Sequence, residues 1–250
     1  VLRSTYVAVA SPASIAMVQD ELDIAAALDL ARGNEWQVSV RSGGHGLSGR
    51  SSNNGGLVID LSAMNDVEVL DPDRRLVRVG AGARWGTVAE ALAPHGLAIS
   101  SGDHGNVGVG GLATAAGIGW LARSYGLTID HITAASLVLS DGTALRADDD
   151  LLWTIRGAGG GAGIVTSFEI EATDLVHIGV AQIAYVVGRD GVLVQQWAEA
   201  MQDAPRRLTT SGMLVPYGDA AALVLTAVVA DDDPDAIRSA LAPLIALKPV

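Results

Sequence analysis

Glycine is the feature that most constrains this chain. Of its 30 glycines, 25 lie between Gly33 and Gly163. Glycine costs more conformational entropy to order than any other residue, and in return it allows positive φ and close approach of backbone to a neighbour. A segment this enriched is either rich in turns, as in an all-β fold, or lines a ligand with backbone. Three loops concentrate the effect: RSGGHG at 41–46, GDHGNVGVGG at 102–111 and GAGGGAG at 157–163. Successive N–H groups in such loops form nests that attract anions.

Hydrophobic periodicity places each loop between regular elements. TYVAVA (5–10) reads as a strand, and the stretch 14–34 as a helix. In that helix Leu22, Ala25, Ala26, Leu28, Asp29 and Arg32 fall at helical spacings and Gly33-Asn34 stops it. Strands are expected at 36–41 and 56–61, and a hairpin at 66–70 and 75–80 around Asp71-Pro72-Asp73. Helices follow at 84–96 and 112–126, the second rich in small residues. An Asp-Gly hairpin spans 132–147, then a short helix at 151–157 and a strand at 163–172. Beyond 172 glycine thins out. Strands GVAQIAYVV, TTSGMLVP and ALVLTAVVA mix with helices at 191–202 and 234–247. The expected organisation is therefore α+β, with a domain over 1–172 and part of a second over 173–250. Hairpins interrupt the strand–helix alternation, which argues against a doubly wound sheet.

Two stretches match the dinucleotide pattern G-x-G-x-x-G/A, GVGGLA at 108–113 and GAGGGA at 157–162. The pattern has mechanism only between a buried strand and a helix. SSGDHGN precedes the first, and a strand rather than a helix follows the second. No G-x-x-x-x-G-K-[ST] loop is present. What remains is nests plus the N-terminus of the 112–126 helix, a combination that suits a pyrophosphate. Ala113, Ala115, Ala116, Gly117 and Gly119 either leave room for something flat or let that helix pack tightly on a sheet.

Charge and composition exclude several classes. Sixteen basic against 28 acidic residues give a net charge of −12, which repels nucleic-acid phosphates. No apolar run approaches the roughly 18 residues of a membrane span. A cytoplasmic location is expected, with secretion left open. The chain has no Cys, so disulfides, thiolate metal sites and cysteinyl cofactor links are all absent. His95, His131 and His177 lack partners at metal-ligand spacing, so no metal is expected. The aspartate runs 148–150 and 231–233 read as loop or helix-cap acid.

VRSGGHG, GGLVIDLSAMN, SGDHGNVGVGGLATAAGIGWLARSYGLTIDHI and LLWTIRGAGGGAGIVTSFEI occur in that order. Together they resemble the FAD-binding (PCMH-type) domain of the vanillyl-alcohol oxidase superfamily, most closely its berberine bridge enzyme and 6-hydroxy-D-nicotine oxidase branch. The resemblance covers about residues 20–172 and implies an FAD domain of two α+β subdomains, followed by a substrate domain with an antiparallel sheet. It implies that Arg41, Ser42, Gly43, Gly44, His45 and Gly46 cradle the FAD pyrophosphate. It also implies that a ring nitrogen of His45 is bonded to the flavin 8α-methyl, where neutral imidazole is a competent nucleophile. Backbone of Gly102, Asp103, Asn106, Val107, Gly108, Gly111, Gly117, Ile164 and Val165 is expected to contact the cofactor. Many relatives add a cysteinyl link from the second loop. His104 stands at that position here, so the single histidyl link is the expected one, with His104 a candidate to face substrate. Ala115 and Ala116 depart from the family's glycine-richer run and would narrow the site.

The implied activity is an FAD-dependent oxidase. Hydride would pass from a substrate C–H next to N or O to flavin N5, and O2 would take up the electrons as H2O2. An amine-type small molecule is the first substrate class, a carbohydrate or alcohol the second, and a non-catalytic flavin-binding remnant the third reading. Family members are longer than this chain, and no catalytic base is assigned. Self-association into a homo-oligomer is left open.

Overall fold

The computed structural model describes residues 2–3, 9–188 and 190–247. Residues 5–8 of the expected first strand lie outside the described residues, and Val9–Ala10 (β2) pairs with Leu2–Arg3 (β1). The chain forms two compact units, 1–119 with 127–174, and 120–126 with 175–250. Among the described residues no helix is long and apolar enough to cross a membrane.

The first unit opens with a small parallel sheet. β3 (Ser14–Met17), α1 (Glu21–Gly33), β4 (Val38–Arg41) and β5 (Leu57–Asp60) follow in sequence, and β5 lies between β3 and β4, parallel to both. Leu57, Val58 and Ile59 are fully buried, so the central strand needs a partner on each side. Residues 14–17 are therefore extended, not the start of the expected helix. Asp20 starts α1 by accepting the Asp23 N–H at 2.9 Å. The buried face of α1 is Ile24, Ala27, Leu28 and Ala31, whereas Leu22 is 79% exposed.

A five-stranded antiparallel sheet makes the second layer. β6 (Val67–Asp71), β7 (Leu76–Gly80), α2 (Trp85–Leu92), β8 (Leu97–Ala98) and α3 (Val109–Ala113) lead to α4 (Ala122–Tyr125), which belongs to the other unit. β9 (Ile132–Val138), β10 (Ala144–Arg146), α5 (Asp149–Ala158), β11 (Ile164–Glu171) and β12 (Thr173–Asp174) complete this unit. The sheet order is β10-β9-β11-β7-β6, and β12 pairs with β8. The expected single helix over 112–126 is instead two short pieces. Gly117 has φ of +79°, a left-handed conformation that ends the helical path. Phe168, Ile24, Leu92, Ile132 and Ile170 are fully buried members of a core shared by both sheets.

In the second unit β13 (Gly179–Val187), α6 (Val192–Gln202), β14 (Leu208–Tyr217), β15 (Ala220–Val229) and α7 (Pro234–Ile245) form a sheet in the order β13-β15-β14 with two helices. Trp197 and Ile237 pack from the helices onto the face that carries Leu208 and Ala227. Gly179 and Gly212 leave space for them, since a Cβ would meet Ile237 at 2.3 Å and Trp197 at 2.7 Å.

A row of charges crosses the antiparallel sheet of the first unit. Arg146 of β10 reaches over β9 to Glu169 of β11, with contacts of 2.7 and 2.9 Å. Arg78 of β7 adds a third at 3.1 Å, and Glu68 of β6 meets Arg78 at 3.4 Å. Glu169 faces Ala134 on β9, small enough to let the long Arg146 side chain pass. The Arg146 hydrogen bonds hold the Glu169 carboxyl down at about 2. A depressed carboxylate stabilises the fold above its ordinary range and loses that contribution as pH falls toward its folded value. Glu169→Gln is expected to cost about 1–2 kcal/mol in urea unfolding at neutral pH, with the difference from wild type shrinking as pH drops from about 4 to 2.

Candidate functional site

Arg41 ends β4, and its Nε lies 3.6 Å from Asp60 Oδ2 at the end of the neighbouring β5. The loop then folds back over that pair. Gly44 has φ of +70°, and a Cβ there would stand 2.7 Å from the Arg41 guanidinium. His45 follows, half-buried, and Gly46 is exposed.

The second glycine loop meets the first backbone to backbone. A Cβ on Gly43 would lie 2.3 Å from the Gly108 nitrogen, and one on Gly108 would lie 2.2 Å from the Gly43 nitrogen. No other residue type fits either position. Ala81 anchors the junction from beneath. Its carbonyl accepts the Ser42 hydroxyl at 2.6 Å and the Gly110 N–H at 2.9 Å, and its own N–H donates to Thr166 O on β11 at 2.9 Å. Arg84 closes the top, donating through Nη1 to Gly43 O at 3.1 Å and to Asn106 O. The third glycine loop reaches the same neighbourhood, with the Gly159 N–H 3.3 Å from Thr114 O.

These contacts sort the expected site residues. Arg41, Gly43, Gly44, His45, His104 and Gly108 are brought together around one junction. Gly102, Asp103 and Gly111 lie on the same second loop, and nothing stands within 4 Å of a Cβ built on Gly111. Other members have prior commitments. The Ser42 hydroxyl proton goes to Ala81. Asn106 and Val107 were expected to offer backbone, yet both residues use N–H and C=O within the protein: Asn106 with His104 Nδ1 and Arg84, Val107 with His104 O and Trp85 N–H. What Asn106 has left is its side chain. Gly117 is buried against Thr128, where a Cβ would fall 1.9 Å from Oγ1, and a Cβ on Gly119 would strike Ser101 O at 1.9 Å. Of the two readings of this small-residue stretch, close packing accounts for both glycines. Ile164 and Val165 pair with Val138 and Leu137 and bury their side chains in the core.

Electrostatics single out His45. Its ring lies 5.6 Å from that of exposed His104, centroid to centroid, with a tilt of 44°. Burial, and then the positive potentials of His104, Arg84 and Arg41, push its pKa below the ordinary imidazole value. In a chain of net charge −12 this corner is locally cationic. A site of arginines and glycine backbone suits a pyrophosphate, and a neutral imidazole beside it suits attack on an electron-poor carbon. The donor set and the open faces at Gly46 and Gly111 thus fit FAD. Sequence reasoning passed over Ala81 and Arg84. The signal was GAGAR at 80–84, directly after a strand: a Cβ on Gly80 would hit Met64 O at 2.2 Å, and one on Gly82 would hit Leu61 O at 1.7 Å.

The second unit has its own groove of about 430 Å³, lined by Arg123, Trp197, Met201, Thr209 and Thr210 among others. Arg123 donates there to the carbonyls of Leu208 and Ala204, so the charge is spent on backbone.

A family model described as an FAD binding domain matches residues 12–148. The (R)-6-hydroxynicotine oxidase of Paenarthrobacter nicotinovorans is 38% identical over 168 residues, which cover 66% of this chain and 36% of that protein. The crystal structure of 6-hydroxy-D-nicotine oxidase from Arthrobacter nicotinovorans superposes with a TM-score of 0.90 at 29% identity, over 97% of this chain and 55% of that one. Glucooligosaccharide oxidase from Acremonium strictum, a protein with 6-S-cysteinyl, 8α-N1-histidyl FAD, gives a TM-score of 0.78 at 28% identity, over 94% and 50%. The chain thus spans about a third to half of the length of these relatives.

The glycine junction makes a direct prediction. Gly108→Ala forces backbone against backbone and is expected to cost about 2–4 kcal/mol in thermal or urea unfolding. Gly111→Ala, with open space at its Cβ, is expected to leave stability within about 0.5 kcal/mol of wild type.

Proposed function

Because this chain belongs to the FAD-binding domain family of the vanillyl-alcohol oxidase (PCMH-type) flavoproteins, we propose that it carries the cofactor site of an FAD-dependent oxidase in which His45 is the single covalent attachment point. Residues 1–172 form the FAD-binding domain in this reading, and 173–250 part of the substrate-binding domain. Bound FAD supplies hydride acceptance at N5 from a substrate C–H next to N or O, with O2 as the final acceptor giving H2O2. The observation that carries the reading is His45 itself. It is an imidazole held toward its neutral form at the tip of a glycine loop, between two arginines and a second histidine.

The chain's own residues divide the work. Arg41 and the backbone of Gly43, Gly44 and Gly46 bind pyrophosphate oxygen. Gly102, Asp103, Gly108 and Gly111 present the second loop to the cofactor, with Gly117, Ile164 and Val165 supporting from behind. His45 offers an unprotonated ring nitrogen as nucleophile. With no Cys in the chain, His104 occupies the place of a second tether and is the group available to face substrate. Its Nδ1 accepts the Asn106 N–H at 3.2 Å, a bond that ties the ring to the second loop.

Two substrate classes follow from the relatives. The likeness to 6-hydroxynicotine oxidase supports an amine-bearing small molecule. The likeness to glucooligosaccharide oxidase supports a sugar or other alcohol. Peroxide production by the full-length protein across amine and sugar panels separates them, and flavin that is never reduced by either panel favours a non-catalytic binding role.

Acid-precipitated protein is expected to stay yellow. His45→Ala is expected to move the colour to the supernatant, read by absorbance of both fractions. A colourless wild-type pellet would sink the covalent link.

A further inference from the structure

Arg84 stands where the loops of His45 and His104 meet. It precedes α2 in extended conformation and pairs with Gly108 in an isolated antiparallel bridge. Its Nη1 donates to Gly43 O at 3.1 Å and also to Asn106 O. Gly43 lies two residues before His45, and Asn106 two residues after His104, whose Nδ1 takes the Asn106 N–H. One guanidinium therefore ties together the two backbone segments that set the 5.6 Å separation of the imidazoles.

We propose that Arg84 is a positioning residue for attachment of FAD to His45, holding the His45 loop against the His104 loop so that the imidazole meets the cofactor in one fixed orientation. The proposal rests on His45 being the tether. Geometry carries it, and charge adds to it. The groups that act on His45 are His104, Arg84 and Arg41, all disfavouring an imidazolium, and the Asp60 carboxylate is paired with Arg41. Arginine suits the post better than lysine, because the one Nη1 that serves both carbonyls is held in a planar guanidinium rather than at the end of a flexible chain, and its charge cannot be lost. Attachment forms one bond from a ring nitrogen to the 8α carbon and breaks one C–H bond of that methyl. The imidazole gives up its proton, and the two electrons and two protons pass through the flavin to dioxygen as hydrogen peroxide.

The test uses full-length protein made as apoprotein in flavin-deficient cells. FAD is added in air, and acid-stable colour is followed over time from about pH 5 to 8. Arg84→Met is expected to slow attachment about tenfold at the acid end and to move the midpoint of the rate profile upward in pH. Arg84→Lys keeps the charge and is expected to restore the midpoint while recovering only part of the rate. The His45 imidazole signals in apoprotein NMR should titrate at higher pH in Arg84→Met than in wild type, a readout independent of turnover. Wild-type rate and profile in Arg84→Met would overturn the proposal. Should Arg84→Met fail to melt cooperatively, the lysine variant decides alone: attachment as fast as wild type overturns the proposal, slower attachment with the wild-type midpoint supports it. A His45→Ala arm separates the two readings. Acid-stable colour in that variant defeats the tether itself, whereas its absence beside an unaffected Arg84→Met defeats only the role of Arg84.

Discussion

Everything at the site depends on two backbones touching without side chains. Gly43 and Gly108 approach so closely that a single methyl group on either would collide with the other's nitrogen. Interiors are packed densely enough that such a collision cannot be absorbed locally. The contact fixes where the first loop ends and the second begins, and hence where His45 and His104 stand. Ala81 and Arg84 are the clamps on either side. One offers a carbonyl with two donors upon it, the other a cation with two carbonyls beneath it. Glycine clustering in this chain thus has two causes. Some glycines open a surface, as at Gly111, and others close a packing gap, as at Gly43, Gly82, Gly117 and Gly119.

Much of this was legible in the sequence. The α+β class, the Asp-Gly hairpin, the β6–β7 hairpin and the strands and helices after residue 172 follow from apolar patterning and turn residues, whereas the antiparallel pairing of those last strands was implied only by the family resemblance. The loop that carries His45 was legible because several motifs occur in a fixed order. The failures have physical reasons. Ser14–Met17 is a strand because buried β5 needs a second parallel neighbour, a tertiary demand that local pattern cannot show. The helix expected over 112–126 breaks because Thr128 takes the space beside Gly117, a contact eleven residues away in sequence. A run of small residues reads the same whether its glycine faces a ligand or a threonine.

The electrostatic plan is similarly divided. An acidic chain gathers Arg41 and Arg84 at the His45 corner, where they disfavour imidazolium. On the far-reaching charge row of the antiparallel sheet, arginines Arg78 and Arg146 instead neutralise a carboxylate between strands. The same residue type serves polar recognition in one place and sheet cohesion in the other, and the neighbours decide which.

The hydrogen bond from Ala81 to Thr166 has a consequence for biosynthesis. Ser42, Ala81, Gly110 and Thr166 meet at a single residue, yet they are spread over most of the first unit's length. Contacts of such wide sequence separation are closed only after the intervening chain has given up its freedom. A nascent polypeptide that has emerged only as far as the third glycine loop lacks the β11 carbonyl that secures Ala81. The glycine junction is therefore completed only when β11 docks between β7 and β9, late in the synthesis of the first unit.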